Sequence, residues 1–126
     1  MNRDQIQALF KAEFASLALR FAVYDLPLGM ADSATEDYIS MPGVYVFWHS
    51  KRGVIKVGRS LTNSRKRALE HILANTGGSM SALKGDVEAR LLLFNLRNTE
   101  DSYWAAALEI FFEDKLKPEI RSRRTG

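Results

Sequence analysis

Gly43-Val44-Tyr45-Val46-Phe47-Trp48-His49, the turn Ser50-Lys51-Arg52-Gly53, and Val54-Ile55-Lys56-Val57-Gly58 form the stretch from which the rest of the chain is read. Val44 to His49 and Val54 to Val57 are rich in β-branched and aromatic residues, and the four-residue turn between them ends in glycine. That pattern predicts a β-hairpin. If His49 pairs with Val54, then Phe47 faces Lys56 and Tyr45 faces Gly58, which places Tyr45 and Lys56 diagonally on one face.

Downstream, Ser64 to Asn75 has helical spacing, with Ala68, Leu69, Ile72 and Leu73 on one side and Asn63 or Ser64 as its cap. Arg67 and His71, four residues apart, project together from one side of it. Asn75-Thr76-Gly77-Gly78-Ser79 stops this helix, and a small polar loop runs through Asp86. Val87 to Asn95 predicts a third strand, most apolar from Leu91 to Phe94. Asp101 or Ser102 caps a final helix from Tyr103 to about Lys117, which Pro118 ends.

Upstream, Ile6, Leu9, Phe10, Phe14, Leu17 and Phe21 recur at three- and four-residue intervals, predicting an amphipathic helix. Its apolar stripe either packs on the sheet or forms a dimer or partner surface. Asp25 to Met41 reads as a connecting segment, with a Ser33/Glu36 capping pair for a short helix. The expected fold class is α+β: a small three-stranded, largely antiparallel sheet flanked by helices, with an extra N-terminal helix. Residues 1–41 would be the helix and connector, and residues 42–126 the main unit.

With 126 residues, 46% hydrophobic and 26% charged, the chain has the size of one globular domain. It has no cysteine, which excludes disulfides, thiolate metal sites and a catalytic thiol. Only His49 and His71 are present, so a bound metal should be a hard cation on carboxylate oxygen. The net charge of +3 is a mild basic bias concentrated in two clusters, Arg59, Arg65, Lys66 and Arg67, then Arg121, Arg123 and Arg124. Either could neutralise phosphates. No apolar run reaches membrane-spanning length and no basic-then-apolar leader opens the chain, so a cytoplasmic protein is expected.

These residue types suit phosphodiester hydrolysis, which needs an activated water, counter-charge for the phosphorane and help for the leaving oxygen. Tyr45 or His71 would take the proton from water, and a neighbouring Lys56 ammonium would lower the pKa of Tyr45. On the last helix Glu109 falls near Phe112 and Leu116, while Glu113 points further toward water, which makes Glu109 the better metal ligand. His49 reads as structural or exposed. Trp48, Tyr103 and Trp104 read as packing residues rather than a base-stacking platform.

Gly43-Val44-Tyr45, ten intervening residues, Lys56-Val57-Gly58, Ser60, then Arg67 and His71 resemble the GIY-YIG endonuclease superfamily. Ala107-Leu108-Glu109-Ile110-Phe111-Phe112 and Leu116-Lys117-Pro118 resemble its later helix and exit, so the likeness covers about residues 42–121. Lys56 stands where many members carry tyrosine, one extra residue lies between Gly58 and Arg67, and Arg121 stands near a frequent asparagine. The resemblance implies a metal-dependent DNA endonuclease using Mg2+ (or Mn2+) on Glu109, with Tyr45 as base or water-positioning group and Arg67 clamping the scissile phosphate. Arg59, Ser60, Arg65, Lys66 and Arg121 would contact DNA, and the chain would act as a homodimer or with a separate specificity partner. The alternatives are an inactive nucleic-acid-binding module of the same fold and a protein-interaction domain.

Overall fold

The computed structural model describes residues 1–121; Arg123 and Arg124 of the second basic cluster lie outside the described residues. Three helices, α1 (Arg3–Glu13), α2 (Ser64–Leu73) and α3 (Ser102–Leu116), surround four strands, β1 (Phe21–Pro27), β2 (Gly43–His49), β3 (Gly53–Ser60) and β4 (Ala89–Leu96). The strands form one antiparallel sheet in the order β1-β4-β2-β3. The fold is therefore α+β as expected, with four strands rather than three.

The additional strand lies where the sequence predicts the end of a helix and a connector. An Asn2–Gln5 capping box starts α1, but the helix stops at Glu13 with Phe14 as its C-cap. Phe21 fits the helical stripe and also opens a run, Phe21-Ala22-Val23-Tyr24, of β-forming character. Pairing decides between them. Seven residues of β1 lie opposite seven of β4, from Phe21↔Leu96 to Pro27↔Arg90, and Pro27 ends the edge strand where its missing N–H costs no ladder bond. Asp25 ties the strand in place, accepting from Arg3 of α1 at 2.8 Å and from Arg90 of β4 at 2.6 Å.

The hairpin register departs from the expected one at its tip. Tyr45↔Gly58 and Phe47↔Lys56 pair as predicted, but Trp48 pairs with Val54 and His49 with Gly53. A β-bulge at Ile55 absorbs the extra residue. It also turns two consecutive side chains to the same side: Ile55 packs in the cluster containing Tyr45 and Phe47, and Lys56 lies opposite Phe47.

The sheet is covered on both faces. Phe10 of α1, the C-cap Phe14, and Leu108 and Phe112 of α3 pack with Val44, Val46, Leu92 and Phe94 on one side. Ala68 and Ile72 of α2, with Leu28, Met80 and Leu83 from short 3-10 turns, cover Phe47, Leu91 and Leu93 on the other. Asn95, fully buried in β4, accepts from the Ser64 hydroxyl and donates to the Tyr38 and Ile39 carbonyls, which pins the start of α2 to the sheet. Asn63 caps α2 through the Lys66 N–H. The expected side-chain cap on α3 is not made: Asp101 occupies the position, but its carboxylate binds Arg20 at 2.9 Å instead. After α3, Lys117 turns left-handed (φ 48°), and Glu119 and Ile120 donate to the Val54 and Ile55 carbonyls. The chain thus runs parallel to the outer edge of β3. Among the described residues no helix is long and apolar enough to cross a membrane.

Candidate functional site

Beside that edge, where α2, β3, α3 and the segment through Ile120 meet, lies a cleft of about 540 Å³ lined by Tyr45, Lys56, Arg59, Arg67, His71, Thr76, Glu109 and Arg121, among others. Gly58 shapes its floor. A Cβ there would fall 2.3 Å from the Tyr45 hydroxyl oxygen, so only glycine lets the phenol ring lie across β3. Tyr45 reaches His71 in this position, with its hydroxyl 2.8 Å from His71 Nε2. The other ring nitrogen, Nδ1, lies 2.8 Å from the Thr76 hydroxyl.

Burial drives the electrostatics of this pair. It pushes the Tyr45 phenol up to about 12, with the Arg67 guanidinium opposing the rise. It pulls the His71 imidazole down to about 4, and the Lys56 and Arg67 charges add to the fall. Both groups are therefore neutral across the physiological range. The expectation that Lys56 lowers the Tyr45 pKa is not met: the lysine acts on His71, while desolvation dominates at Tyr45. Lys56 is itself buried, which lowers its own pKa against the opposing pull of Glu113 and Glu109.

Glu109 reaches the cleft from α3, and Arg59 Nη1 stands 3.4 Å from its carboxylate. Glu113 corrects a second expectation. It is 6% exposed rather than turned to water, and Arg121 Nε lies 3.3 Å from its carboxylate. Its position was legible: four residues on a helix return to nearly the same face, so Glu113 follows Glu109 inward. Thr76 was missed because Thr76-Gly77-Gly78 carries only a stop signal in the sequence.

The cleft brings together Tyr45, Lys56, Arg67, His71 and Glu109, and with them Arg59 and Arg121. Arg65, Lys66 and Ser60 are not among its lining residues. Arg65 donates to the Ala31 and Ala34 carbonyls and the Ser40 hydroxyl, which fastens the preceding loop to α2. Ser60 accepts from the Thr62 and Asn63 N–H groups at the turn into α2. Lys66 is exposed in the first turn of that helix. Three cations in this turn run against the helix dipole, which favours anions there.

Among the described residues, one other cluster has metal-ligating chemistry. His49, Asp86 and Glu88 bring their ligand atoms within 4.8 Å of one another. His49 Nδ1, however, accepts the Lys51 N–H at 3.1 Å, so the proton of the neutral ring sits on Nε2 and is donated to Asp86 at 2.8 Å. A metal on Nε2 would displace that proton while Nδ1 is already an acceptor. The cluster acts as a clamp between the β2–β3 turn and the loop before β4. Compared with protein-family models, with curated proteins and with solved structures, the chain gives no match.

Proposed function

We propose that this chain is a cytoplasmic endonuclease of the GIY-YIG type, hydrolysing phosphodiester bonds in DNA with the help of Mg2+ or Mn2+. The observation that carries this reading is the 2.8 Å Tyr45–His71 hydrogen bond, set among Lys56, Arg59, Arg67 and Arg121 in a cleft that also holds the Glu109 carboxylate. Positive side chains beside a proton-transferring pair suit a phosphodiester, whose transition state gathers negative charge on its equatorial oxygens.

A phenol held near 12 does not ionise at neutral pH. Tyr45 therefore accepts a proton from water as it passes its own to His71 Nε2. The neutral imidazole is the acceptor of that transfer. Because Lys56 and Arg67 help to depress its pKa, a phosphate lying against those cations offsets their charge and makes Nε2 more basic in the complex than in the free protein. Arg67, exposed along half of its side chain, is placed to hold the scissile phosphate.

The residues present fit a hard divalent cation: a single carboxylate completed by phosphate oxygens and water is the donor set that Mg2+ favours, and Glu109 supplies it. When bound, such an ion polarises the phosphate and neutralises the departing oxygen. The Arg59 contact with Glu109 also favours a second reading, a binding module, because a guanidinium beside the carboxylate supplies the positive charge a metal would bring.

Supercoiled plasmid incubated with the protein and Mg2+ separates the two. Nicking that falls on the order of 10²-fold in Glu109→Ala supports the nuclease. Salt-sensitive retention of DNA without nicking would establish the binding module, and the absence of both would leave a protein-interaction domain.

A further inference from the structure

We infer that Thr76 is a positioning residue that holds His71 in its Nδ1-protonated tautomer, keeping Nε2 an acceptor for the Tyr45 hydroxyl. The inference deepens the proposed nuclease reading, because it concerns the same proton transfer, but its central test does not depend on activity.

The two hydrogen bonds of the imidazole are equal in length, 2.8 Å to Tyr45 and 2.8 Å to Thr76, and a neutral ring can donate through only one nitrogen. The chemistry of the two partners decides which: a phenol O–H is a stronger donor and a weaker acceptor than an aliphatic hydroxyl, so Tyr45 donates to Nε2 and the Thr76 oxygen is the better acceptor for the ring proton. Nε2 then accepts, and the ring proton sits on Nδ1 and is donated to Thr76 Oγ1.

The turn holding Thr76 is tightly fixed. Asn75 is left-handed (φ 50°), and its side-chain oxygen accepts both the backbone N–H and the hydroxyl of Ser81 at 2.9 Å. Gly77 (φ 73°) lies against Ile120, whose Cδ1 would be 2.9 Å from any added Cβ. The β-branched threonine side chain restricts its own rotamer as well. The hydroxyl is thus delivered to Nδ1 by a turn braced on one side by Ser81 and on the other by Ile120.

The chain contains two histidines, and the structure gives them opposite tautomers: His49, with Lys51 N–H on Nδ1, carries its proton on Nε2. Ring 15N and 13C NMR shifts at neutral pH should therefore show one imidazole of each kind, with His49→Gln removing the Nε2-protonated one. In Thr76→Val the His71 pattern should move toward the Nε2-protonated form while His49 stays unchanged, and Thr76→Ser should restore it. Plasmid nicking should lose kcat on the order of ten-fold in Thr76→Val, with KM unchanged and recovery in the serine variant. An Nε2-protonated His71 in the unaltered protein, or a ring pattern indifferent to Thr76→Val, overturns the inference. Lack of nicking in the unaltered protein with the expected NMR pattern would sink the nuclease reading and leave the tautomer assignment standing.

Discussion

Arg65 and Arg67 sit two positions apart in the first turn of α2, yet their surroundings give them different work. Arg65 donates to two backbone carbonyls and a hydroxyl of the loop before β2, so Arg65→Ala should lower stability by about 1–3 kcal/mol. It should leave the salt dependence of DNA binding unchanged. Arg67 lines the cleft with half its side chain in solvent, so Arg67→Ala should barely move the urea midpoint while reducing the salt slope of DNA binding by about one. Urea titration and affinity measured across salt concentrations test both, and reversed effects would mean that the two roles are misassigned. The sequence joined these arginines in one basic cluster because adjacency in a helix says nothing about what each side chain meets. Glu113 teaches the converse: its burial was implied by its spacing from Glu109, but solvent was a reasonable expectation for a carboxylate until Arg121 and Lys56 came into range.

Among the elements, α2, α3 and the β2–β3 hairpin were legible because their signals are local: a cap at Asn63, a proline after Lys117, and a glycine-ended turn between two β-rich runs. β1 was not, because Phe21 satisfies a helical period and a strand equally and only β4 selects the strand. The dependence is mutual. The Phe10 ring of α1 lies tilted against Phe94 with centroids 5.1 Å apart, and β1 covers the edge of β4 along seven pairs, so a chain beginning at Pro42 would expose the edge and one face of the central strands. Truncating a single buried Phe such as Phe10 to Ala would already cost about 3–5 kcal/mol, and the deletion removes the whole helix and strand. Such a truncation should give no cooperative thermal transition by circular dichroism; a sharp melt near that of the whole chain would show that residues 1–41 are dispensable to the fold.

At the scale of the whole molecule, the cleft leaves a signature in stability. In the native state His71 titrates near 4, below its ordinary 6.5, so between those values the unfolded chain binds a proton that the folded chain refuses. Stability should therefore be flat in this group above 6.5 and decline as the pH falls from 6.5 toward 4. Asp86 and Glu119 have lowered pKa values, so their contributions are present above their ordinary 3.8 and 4.5 and are lost only in stronger acid. Urea midpoints measured from neutral pH down to about 4.5 isolate the histidine. His71→Gln should flatten the decline, and an equally steep profile in that variant would place the titrating group elsewhere.

By itself the sequence determined the α+β class, the hairpin that sets Tyr45 opposite Gly58, the pairing of Arg67 with His71 on one helix, and Glu109 on the last. Each of these depends on contacts close along the chain or on periodicity within one element. Only the tertiary structure decided that β1 joins the sheet, that a bulge turns Ile55 and Lys56 to the same side, and that Thr76 meets His71. The same holds for the electrostatics of the site. Tyr45 is pushed up rather than down because burial outweighs the nearest charges, and desolvation of that kind is a property of packing that no local pattern records.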